Sequence, residues 1–208
     1  KDRIKLSKKI HPLLLTRGVP GTHDISYMSS FIKKVNSRKF RSTKLPKFDK
    51  SIDDRFTKNS WYKVKSKPDV IIFEGWCVGA RSESLKTLKK SVNKMENKDD
   101  NKLIWRKYVN DQLKTVYKKL YSKLDCLLFL RAENFSLLQK WRVVQEKKLK
   151  LKNKNKKTKQ KIMTKKEVLN FMQTYQRITQ NMFKYAPKYA SIVIKLNSNH
   201  QINSVKYN

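Results

Sequence analysis

The sequence has 208 residues, of which 38% are hydrophobic and 11% aromatic, which is enough for one domain with a buried core. Its 51 Lys and Arg residues against 16 Asp and Glu residues give a net charge of +35. The longest apolar runs, VIIF at 70–73 and CLLFL at 126–130, are far shorter than the roughly 18 residues that a membrane helix requires. The composition therefore argues against a protein that crosses a membrane.

The positive charge has two interpretations. It can reflect a surface for nucleic acid or another polyanion. It can also reflect drift of the gene toward AT-rich codons, since Lys outnumbers Arg by 41 to 10 and Asn occurs 15 times against 4 Ala. Specific phosphate sites favour the bidentate guanidinium group of Arg, so an excess of Lys is weak evidence for recognition. A nucleic-acid partner stays open but is not favoured.

The two cysteines, Cys77 and Cys126, both lie beside apolar runs, and neither has the paired spacing of a metal site. This pattern is typical of core thiols in a reducing compartment. We therefore expect a cytoplasmic protein without a membrane partner.

The first predicted element follows the loop RGVPGTHD at 17–24, which holds two of the four glycines of the chain. Apolar residues recur with helical spacing over 25–35, and Thr22 or Asp24 can cap the start of this helix. Residues 36–68 are polar and rich in turn formers, so we expect no core element there.

An apolar run comes next, in PDVIIFEGW at 68–76, and its four consecutive apolar residues predict a strand buried on both faces. An amphipathic helix over 104–121 leads to a second apolar run, DCLLFLRA at 125–132. A strand, a helix and a strand in this order form a crossover unit, which predicts two parallel strands and an α/β fold.

The last third of the chain predicts two helices and a strand. A helix over 135–149 runs into a tract at 147–161 with nine Lys in fifteen residues, which we expect to be mobile. Thr164 and Glu167 form a capping box that starts the next helix. The run YASIVIKLN at 189–197 predicts a third strand.

Candidate chemistry lies where the strands end, because ligands bind beyond the carboxyl ends of parallel strands. Glu74 ends the first apolar run and precedes Gly75, the pattern of a Walker B carboxylate that faces Mg²⁺ or its water shell. A carboxylate that only caps a turn is the alternative. Arg142 could close over a transferred phosphoryl group, or it could lie on a solvated helix face.

The loop 17–24 also concentrates candidate ligand-binding groups. Its glycines permit a tight turn, from which Arg17 suits a carboxylate or phosphate and Asp24 suits a hydroxyl. A turn with a helix cap explains Asp24 but leaves Arg17 and His23 unexplained. This loop therefore favours a small polar ligand.

A second cluster of candidate groups lies in LPKFDKSIDDR at 45–55. Its members are Asp49, Lys50, Ser51 and Arg55. A polar surface loop is the alternative interpretation. Two such clusters between the elements of an α/β fold nevertheless favour a small polar substrate.

Together these motifs resemble the D-glycerate 3-kinase family of bacteria and plants, which are P-loop kinases related to uridine kinase, phosphoribulokinase and pantothenate kinase. The combination of RGxxGTHD with FEGWCVGAR carries most of the specificity. The matching motifs span nearly the whole chain in order: RGVPGTHD (17–24), LPKFDKS and DDR (within 45–55), VIIFEGWCVGAR (70–81), WRKYVN (105–110), WRVVQE (141–146), FMQTYQRIT (171–179) and NSNHQI (197–202). The resemblance implies a P-loop-kinase-like parallel sheet flanked by helices.

The resemblance also implies a function and the residues that serve it. It implies ATP and Mg²⁺ as cofactors, and transfer of the γ-phosphate to a hydroxyl of D-glycerate or a similar small hydroxy acid. Glu74 would be the catalytic carboxylate at the metal, Arg142 a catalytic cation of the lid, and Arg177 a residue that approaches the nucleotide. The residues implied to bind the acceptor are Arg17, Thr22, His23, Asp24, Asp49, Lys50 and Arg55.

One departure from the family is large. Its members carry the phosphate loop GxxGxGKS/T, whereas the four glycines here stand at positions 18, 21, 75 and 79. Residues 1–208 are therefore expected to be the C-terminal part of a single domain, without its first strand, phosphate loop and SxDDFY segment. We expect a mobile Lys-rich lid or insert at about 147–163.

Such a fragment is not expected to phosphorylate a substrate by itself, because positioning and charge neutralisation supply nearly all of the catalysis in phosphoryl transfer. The alternative function is a degenerate kinase scaffold that binds RNA or another polyanion through 147–161. Such binding should weaken steeply as the salt concentration rises.

Overall fold

The computed structural model describes residues 2–49, 54–152 and 162–208. In these ranges, helices pack around a three-stranded sheet, and two further short strand pairs lie outside it. The helices are α1 (Asp2–Lys9), α2 (Ile25–Val35), α3 (Leu85–Lys89), α4 (Lys94–Lys98), α5 (Ile104–Gln112), α6 (Lys118–Tyr121), α7 (Phe135–Lys152) and α8 (Lys165–Tyr185). The strands are β1 (Thr43–Leu45), β2 (Phe48–Asp49), β3 (Asp54–Arg55), β4 (Tyr62–Val64), β5 (Leu128–Arg131), β6 (Ile192–Leu196) and β7 (Ile202–Tyr207).

The three-stranded sheet has the order β5-β6-β7. β5 and β6 run parallel, with Leu128 opposite Ile192, and the connection between them contains α7 and α8. β7 returns antiparallel beside β6, so the sheet is mixed. The predicted α/β class is confirmed, and so are the strands predicted around 125–132 and 189–197.

Helix α8 forms the centre of the core, because its apolar stripe packs against the sheet. The buried side chains of Ile178 and Met182 share one cluster with Phe129 of β5 and Val193 of β6. The predicted capping box is present at its start, where the Thr164 side chain accepts a hydrogen bond from the Glu167 backbone and the Glu167 side chain accepts one from the Thr164 backbone.

The prediction for 70–73 is wrong in one respect, since this apolar segment forms no strand in the structure. Val70 is 75% exposed and Ile72 86% exposed. A cavity of about 820 Å³ lies between this segment and β5, whose Leu128 and Leu130 line its other side. A strand needs a hydrogen-bonded neighbour, and the described residues place none beside 70–73, so the parallel partner of β5 is β6 instead.

Two other expectations are corrected. Residues 36–68 contain two short antiparallel pairs, β1 with β4 and β2 with β3, although we expected them to be irregular. Cys77 is buried as expected, but Cys126 is exposed.

Parts of two predicted features lie outside the described residues. α7 extends through the first Lys residues of the 147–161 tract, and residues 153–161 are not described. Lys50 and Ser51 of the second cluster also lie outside. Among the helices that are described, none is long and apolar enough to cross a membrane.

Candidate active site

The candidate site lies beyond the carboxyl ends of β5 and β6, which stop at Arg131 and Leu196. The first half of α7 covers this edge, because the Trp141 indole N–H donates to the backbone carbonyl of Ser198, 3.0 Å away in the segment after β6. The Trp141 ring also stacks on His200, with ring centres 4.0 Å apart. Helix α7 is thereby fixed where ligands bind in open parallel sheets.

The loop 17–24 passes close to two helices at its glycines. Gly18 and Gly21 have φ angles of 113° and 94°, a region that other residues rarely adopt. A Cβ atom at Gly18 would lie 2.0 Å from the Tyr175 hydroxyl, and one at Gly21 would lie 2.5 Å from the Tyr108 ring. Both the conformation and the close packing therefore require glycine at these positions.

Two polar side chains of the loop brace it through hydrogen bonds. The Thr22 hydroxyl accepts a hydrogen bond from the Gly18 N–H at 2.9 Å and donates one to the Val19 carbonyl at 2.7 Å. His23 Nδ1 lies 2.7 Å from the hydroxyl of Tyr117. Loss of water around the His23 ring, and then the positive charge of Arg17, lower the pKa of His23. His23 is therefore neutral near pH 7.

Asp24 has two partners. One carboxylate oxygen caps α2 by accepting from the Tyr27 N–H at 3.0 Å, and the other lies 2.9 Å from Arg55 Nη1. Asp24 is thus the N-cap, the second of the two candidates for that position. Its side chain stays 46% exposed and that of Arg55 35% exposed, so both can still meet a ligand.

The structure brings the two predicted clusters together. The guanidinium of Arg17 lies over the ring of Phe48, 4.0 Å from its centre. Phe48 pairs with Arg55 across β2 and β3, and Asp49 pairs with Asp54 in the same short ladder. The ion pair between Arg55 and Asp24 forms a second contact between the loop and this pair of strands.

The loop also meets the FEGWC motif against α8. The Tyr175 hydroxyl donates to the Arg17 carbonyl at 2.8 Å, and the Cys77 thiol donates to the Gly18 carbonyl at 3.9 Å. The ring of Trp76 lies 5.4 Å from that of Tyr175. Burial raises the pKa of the Tyr175 hydroxyl, which therefore remains a hydrogen-bond donor.

Glu74 and Arg142 lie around Trp76. Glu74 is exposed two residues before Trp76, and Arg142 lines a cavity of about 330 Å³ together with Trp76. Arg142 Nη2 lies 2.5 Å from a carboxylate oxygen of Glu146, whose other oxygen accepts from the Met163 N–H at 3.3 Å. The charges of Arg17 and Arg142 both act to lower the pKa of Tyr175 against its burial, so both cations lie near its hydroxyl.

Arg177, predicted to approach the nucleotide, is held by carboxylate and carbonyl groups. Its Nε and Nη2 donate to Glu96 at 2.8 and 2.7 Å, and Nη2 also donates to the Lys90 carbonyl at 2.6 Å. Residues two apart on a helix point about 200° apart, so Arg177 faces away from the site that Tyr175 faces. Its guanidinium is engaged in a buried ion-pair network, and this geometry gives no support for a contact with nucleotide.

Several residues that build the site were not assigned to it from the sequence. Tyr175 fitted the apolar stripe of α8, and nothing in the pattern marked its hydroxyl as a partner of the loop. Tyr117 holds both the Gly21 N–H and His23 across 96 and 94 positions of sequence. The available signal was the motif FMQTYQRIT for Tyr175, whereas Tyr117 had none.

No protein-family model matches the sequence. The chain is 29% identical over 184 residues to a Schizosaccharomyces pombe protein named uncharacterized kinase mug58, covering 84% of this chain and 62% of that protein. It is 24% identical over 140 residues to the chloroplastic D-glycerate 3-kinase of Arabidopsis thaliana, covering 64% of this chain and 28% of that protein. The chain thus spans less than two thirds of the length of both curated relatives.

Solved structures give longer matches. A D-glycerate 3-kinase from Cryptococcus neoformans var. grubii matches with a TM-score of 0.78 and 25% identity, covering 100% of this chain and 75% of that one. The structure of the YGR205w protein matches with a TM-score of 0.68 and 24% identity, covering 99% of this chain and 72% of that one. The fold is therefore that of the P-loop kinases. Sequence and structural similarity together relate the chain to D-glycerate 3-kinases.

Proposed function

We propose that this chain contributes the acceptor pocket and lid of an ATP-dependent kinase that phosphorylates a hydroxyl of D-glycerate or a similar small hydroxy acid. The observation that carries the proposal is the contact of the loop 17–24 with the FEGWC motif. The Gly18 carbonyl accepts from the Cys77 thiol and the Arg17 carbonyl from the Tyr175 hydroxyl, so the loop with the candidate acceptor residues packs against the segment that carries Glu74.

The acceptor would bind through its negative charge. Arg17 is the cation best placed for a carboxylate, since Phe48 supports one face of its guanidinium and thereby limits its motion. Arg55 offers a second positive group, oriented by Asp24. Thr22 and His23 act as positioning residues, because their hydrogen bonds are made within the loop and to Tyr117.

The metal and nucleotide would lie on the Glu74 side. Among the described residues, no group of three or more His, Cys, Asp or Glu side chains could form a metal cage. Mg²⁺ usually binds one or two carboxylates and completes its shell with water and phosphate oxygens, which the exposed Glu74 suits. ATP supplies the phosphoryl group when bound, and Arg142, held by Glu146, provides a cation beside Trp76 for the charge on that group.

The phosphate cradle itself would come from a segment with the GxxGxGKS/T pattern, which this sequence does not contain. We propose that residues 1–208 are the C-terminal part of a single domain, and that its first strand pairs in the cavity between 70–73 and β5. The exposed apolar side chains on both sides of that cavity support this arrangement. We expect this chain by itself not to turn over ATP.

Binding of the acceptor can be tested on the chain as it stands. D-Glycerate should bind in calorimetric titrations, and Arg17→Gln should weaken it about tenfold or more, because a charge-assisted contact is lost. Arg38→Gln removes the same charge from an exposed position after α2 and should leave the affinity within about twofold. The proposal fails if D-glycerate does not bind or if both variants bind it equally.

Phosphoryl transfer can be tested with a chimera in which the strand and phosphate loop of a family member precede residue 1. We expect ATP turnover that depends on D-glycerate, and loss of most of this rate on Glu74→Gln. Slower hydrogen exchange of the backbone amides of β5 would show that the added strand pairs as proposed. A folded chimera without turnover would contradict the kinase proposal.

A further inference from the structure

A second cavity, of about 810 Å³, lies at the opposite edge of the sheet. Its walls are the last turns of α8, the 3₁₀ turn at Ala186–Lys188 and the segment 81–92. Because β6 begins at Ile192, directly after this turn, the cavity lies at the amino ends of the parallel strands. The candidate active site lies beyond their carboxyl ends, so the two sites are separate.

Positive side chains dominate this cavity, which we call the basic pocket after its lining residues Arg81, Lys90, Lys184 and Lys188. The carboxylate that also lines it, Glu83, lies 3.4 Å from Arg177 and is balanced by it. Within 2–49, 54–152 and 162–208, none of the four cations of the basic pocket forms an ion pair. Their charge is therefore not compensated by the described parts of the protein.

Two of these lysines contact the same aromatic ring. The ammonium groups of Lys184 and Lys188 lie 5.2 and 5.9 Å from the centre of the Tyr185 ring. A bound anion would offset the positive charge that the two lysines bring to this part of the pocket. The C-terminal end of α8 attracts cations as well, which accounts for some of the clustering but not for the charges of the segment 81–92.

Arg81, in the segment 81–92, packs against an aromatic ring. Its guanidinium lies 3.6 Å from the centre of the Tyr189 ring, and the Tyr189 hydroxyl donates to the Gly79 carbonyl at 2.9 Å. In the described structure the guanidinium N–H groups make no hydrogen bond, so its edge stays available. Stacking on an immobilised ring lowers the entropy lost when such a group binds a phosphate.

We propose that the basic pocket binds a small anion with two or more phosphate groups. One phosphate would meet Arg81, and a second would meet Lys184 and Lys188. The volume lies within the usual range of small-molecule sites, about 300–1,000 Å³, and side-chain amides of Gln180 and Asn181 add donors along the same side of α8. This site is independent of the acceptor and metal residues proposed above.

Pyrophosphate is a suitable probe, and calorimetry at constant ionic strength measures its affinity for the whole chain. A triple variant, Arg81→Gln, Lys184→Gln and Lys188→Gln, removes three charges from the basic pocket. A matched control, Arg38→Gln, Lys33→Gln and Lys34→Gln, removes one Arg and two Lys from the exposed end of α2. The two proteins have the same net charge.

We expect the pocket variant to bind pyrophosphate at least about tenfold more weakly than the wild type, and the control to stay within about twofold. Inorganic phosphate should bind weakly to all three proteins, because its single phosphate group can contact only some of the cations of the basic pocket. Equal weakening in both variants would mean that general charge attraction is responsible and would overturn the proposal, as would an unchanged affinity in the pocket variant. Arg81→Gln alone serves as a second variant, with a smaller loss expected, should the triple variant not fold.

Discussion

Two charged regions of this protein contrast in how their charges are matched. In the network behind α3 and α4, the side chains of Glu96, Asp100 and Arg106 are 0–3% exposed and those of Arg177 7% exposed. In the candidate site, Asp24 and Arg55 share one close ion pair and remain 46% and 35% exposed. The first region satisfies its own charges, and the second leaves hydrogen-bonding capacity for a ligand.

The charged groups of the buried network are almost fully hydrogen-bonded by groups of the protein. Arg106 donates through Nε to Asp100 at 2.8 Å and through Nη2 to the Asp100 carbonyl at 2.8 Å, while Nη1 reaches the Leu88 carbonyl at 3.1 Å. Together with Arg177 and Glu96, these bonds fasten residues 83–106 to α8. The enclosed charged residues of this protein thus stabilise its structure, whereas those of the candidate site remain accessible.

The largest expected effect comes from breaking the enclosed network. Arg106→Met would leave the carboxylate of Asp100 buried without its guanidinium partner, at a cost of about 3–5 kcal/mol in the free energy of unfolding. Urea denaturation measures this loss. Lys107→Met, on the exposed neighbour, should change the same quantity by less than about 0.5 kcal/mol. Similar stability of both variants would show that the network does not stabilise the fold.

An intermediate effect on the free energy of unfolding is expected at Arg142, which lies in the candidate site but pairs with a nearly buried carboxylate. Glu146 is 7% exposed and pairs with Arg142, so Arg142→Gln leaves a nearly buried carboxylate without its charge partner. We expect a loss of about 1–3 kcal/mol in the free energy of unfolding. Lys140→Gln, on the exposed side of α7, is the control and should be almost neutral. Equal stability of the two variants would mean that Arg142 contributes no more to the free energy of unfolding than a solvated charge does.

A smaller effect is expected at Asp24, and two substitutions separate its contacts. Asp24→Asn keeps a side chain that caps helices well but loses the charge opposite Arg55, a partly exposed pair worth about 0.5 kcal/mol. Asp24→Ala loses the cap as well and should cost about 1–2 kcal/mol. Thermal unfolding of both variants provides the measurement. If Asn and Ala were equally destabilising, the cap would not be the main contribution.

The smallest effect concerns pH. The pKa of His23 is lowered in the folded protein, so the unfolded chain binds a proton more readily than the folded chain does. The contribution of His23 to stability is therefore complete above its ordinary pKa near 6.5 and is lost as the pH falls toward the lowered value. His23→Gln should flatten the dependence of unfolding free energy on pH between about 7.5 and 5. A slope in the His23 variant equal to that of the wild type would contradict the assignment.

Much of the fold could be predicted because its signals are local. The start of α8 follows from Thr164 and Glu167, and β5 and β6 follow from short apolar runs. The strand β7 gave no such signal, since all six of its residues are exposed and no face of it is apolar. The segment 70–73 had the composition of a strand but depends on a neighbour for its hydrogen bonds.

The candidate site was predictable in its motifs and less so in its contacts. The resemblance identified the loop 17–24 and Glu74, but the roles of individual side chains depend on partners far away in sequence. That Thr22 and His23 line the acceptor pocket stays a prediction, and their hydrogen bonds brace the loop. The buried network was not foreseen, because in the sequence Glu96 and Arg106 cannot be told apart from charged residues of a solvated surface.

The π-helical turn at Leu113–Tyr117 sets the position of the Tyr117 hydroxyl, which holds the loop 17–24 through Gly21 and His23. Trp105, Val109, Leu113 and Tyr117 are spaced four apart and are all 2–5% exposed. On a regular α-helix, side chains four residues apart differ in direction by about 40° around the helix axis. The wider π-helical turn reduces this difference between Leu113 and Tyr117. Deleting one residue within the turn would change no contact residue, yet it would swing the Tyr117 hydroxyl away from Gly21 and His23. The position of the loop is therefore encoded in the length of a helix as much as in its side chains.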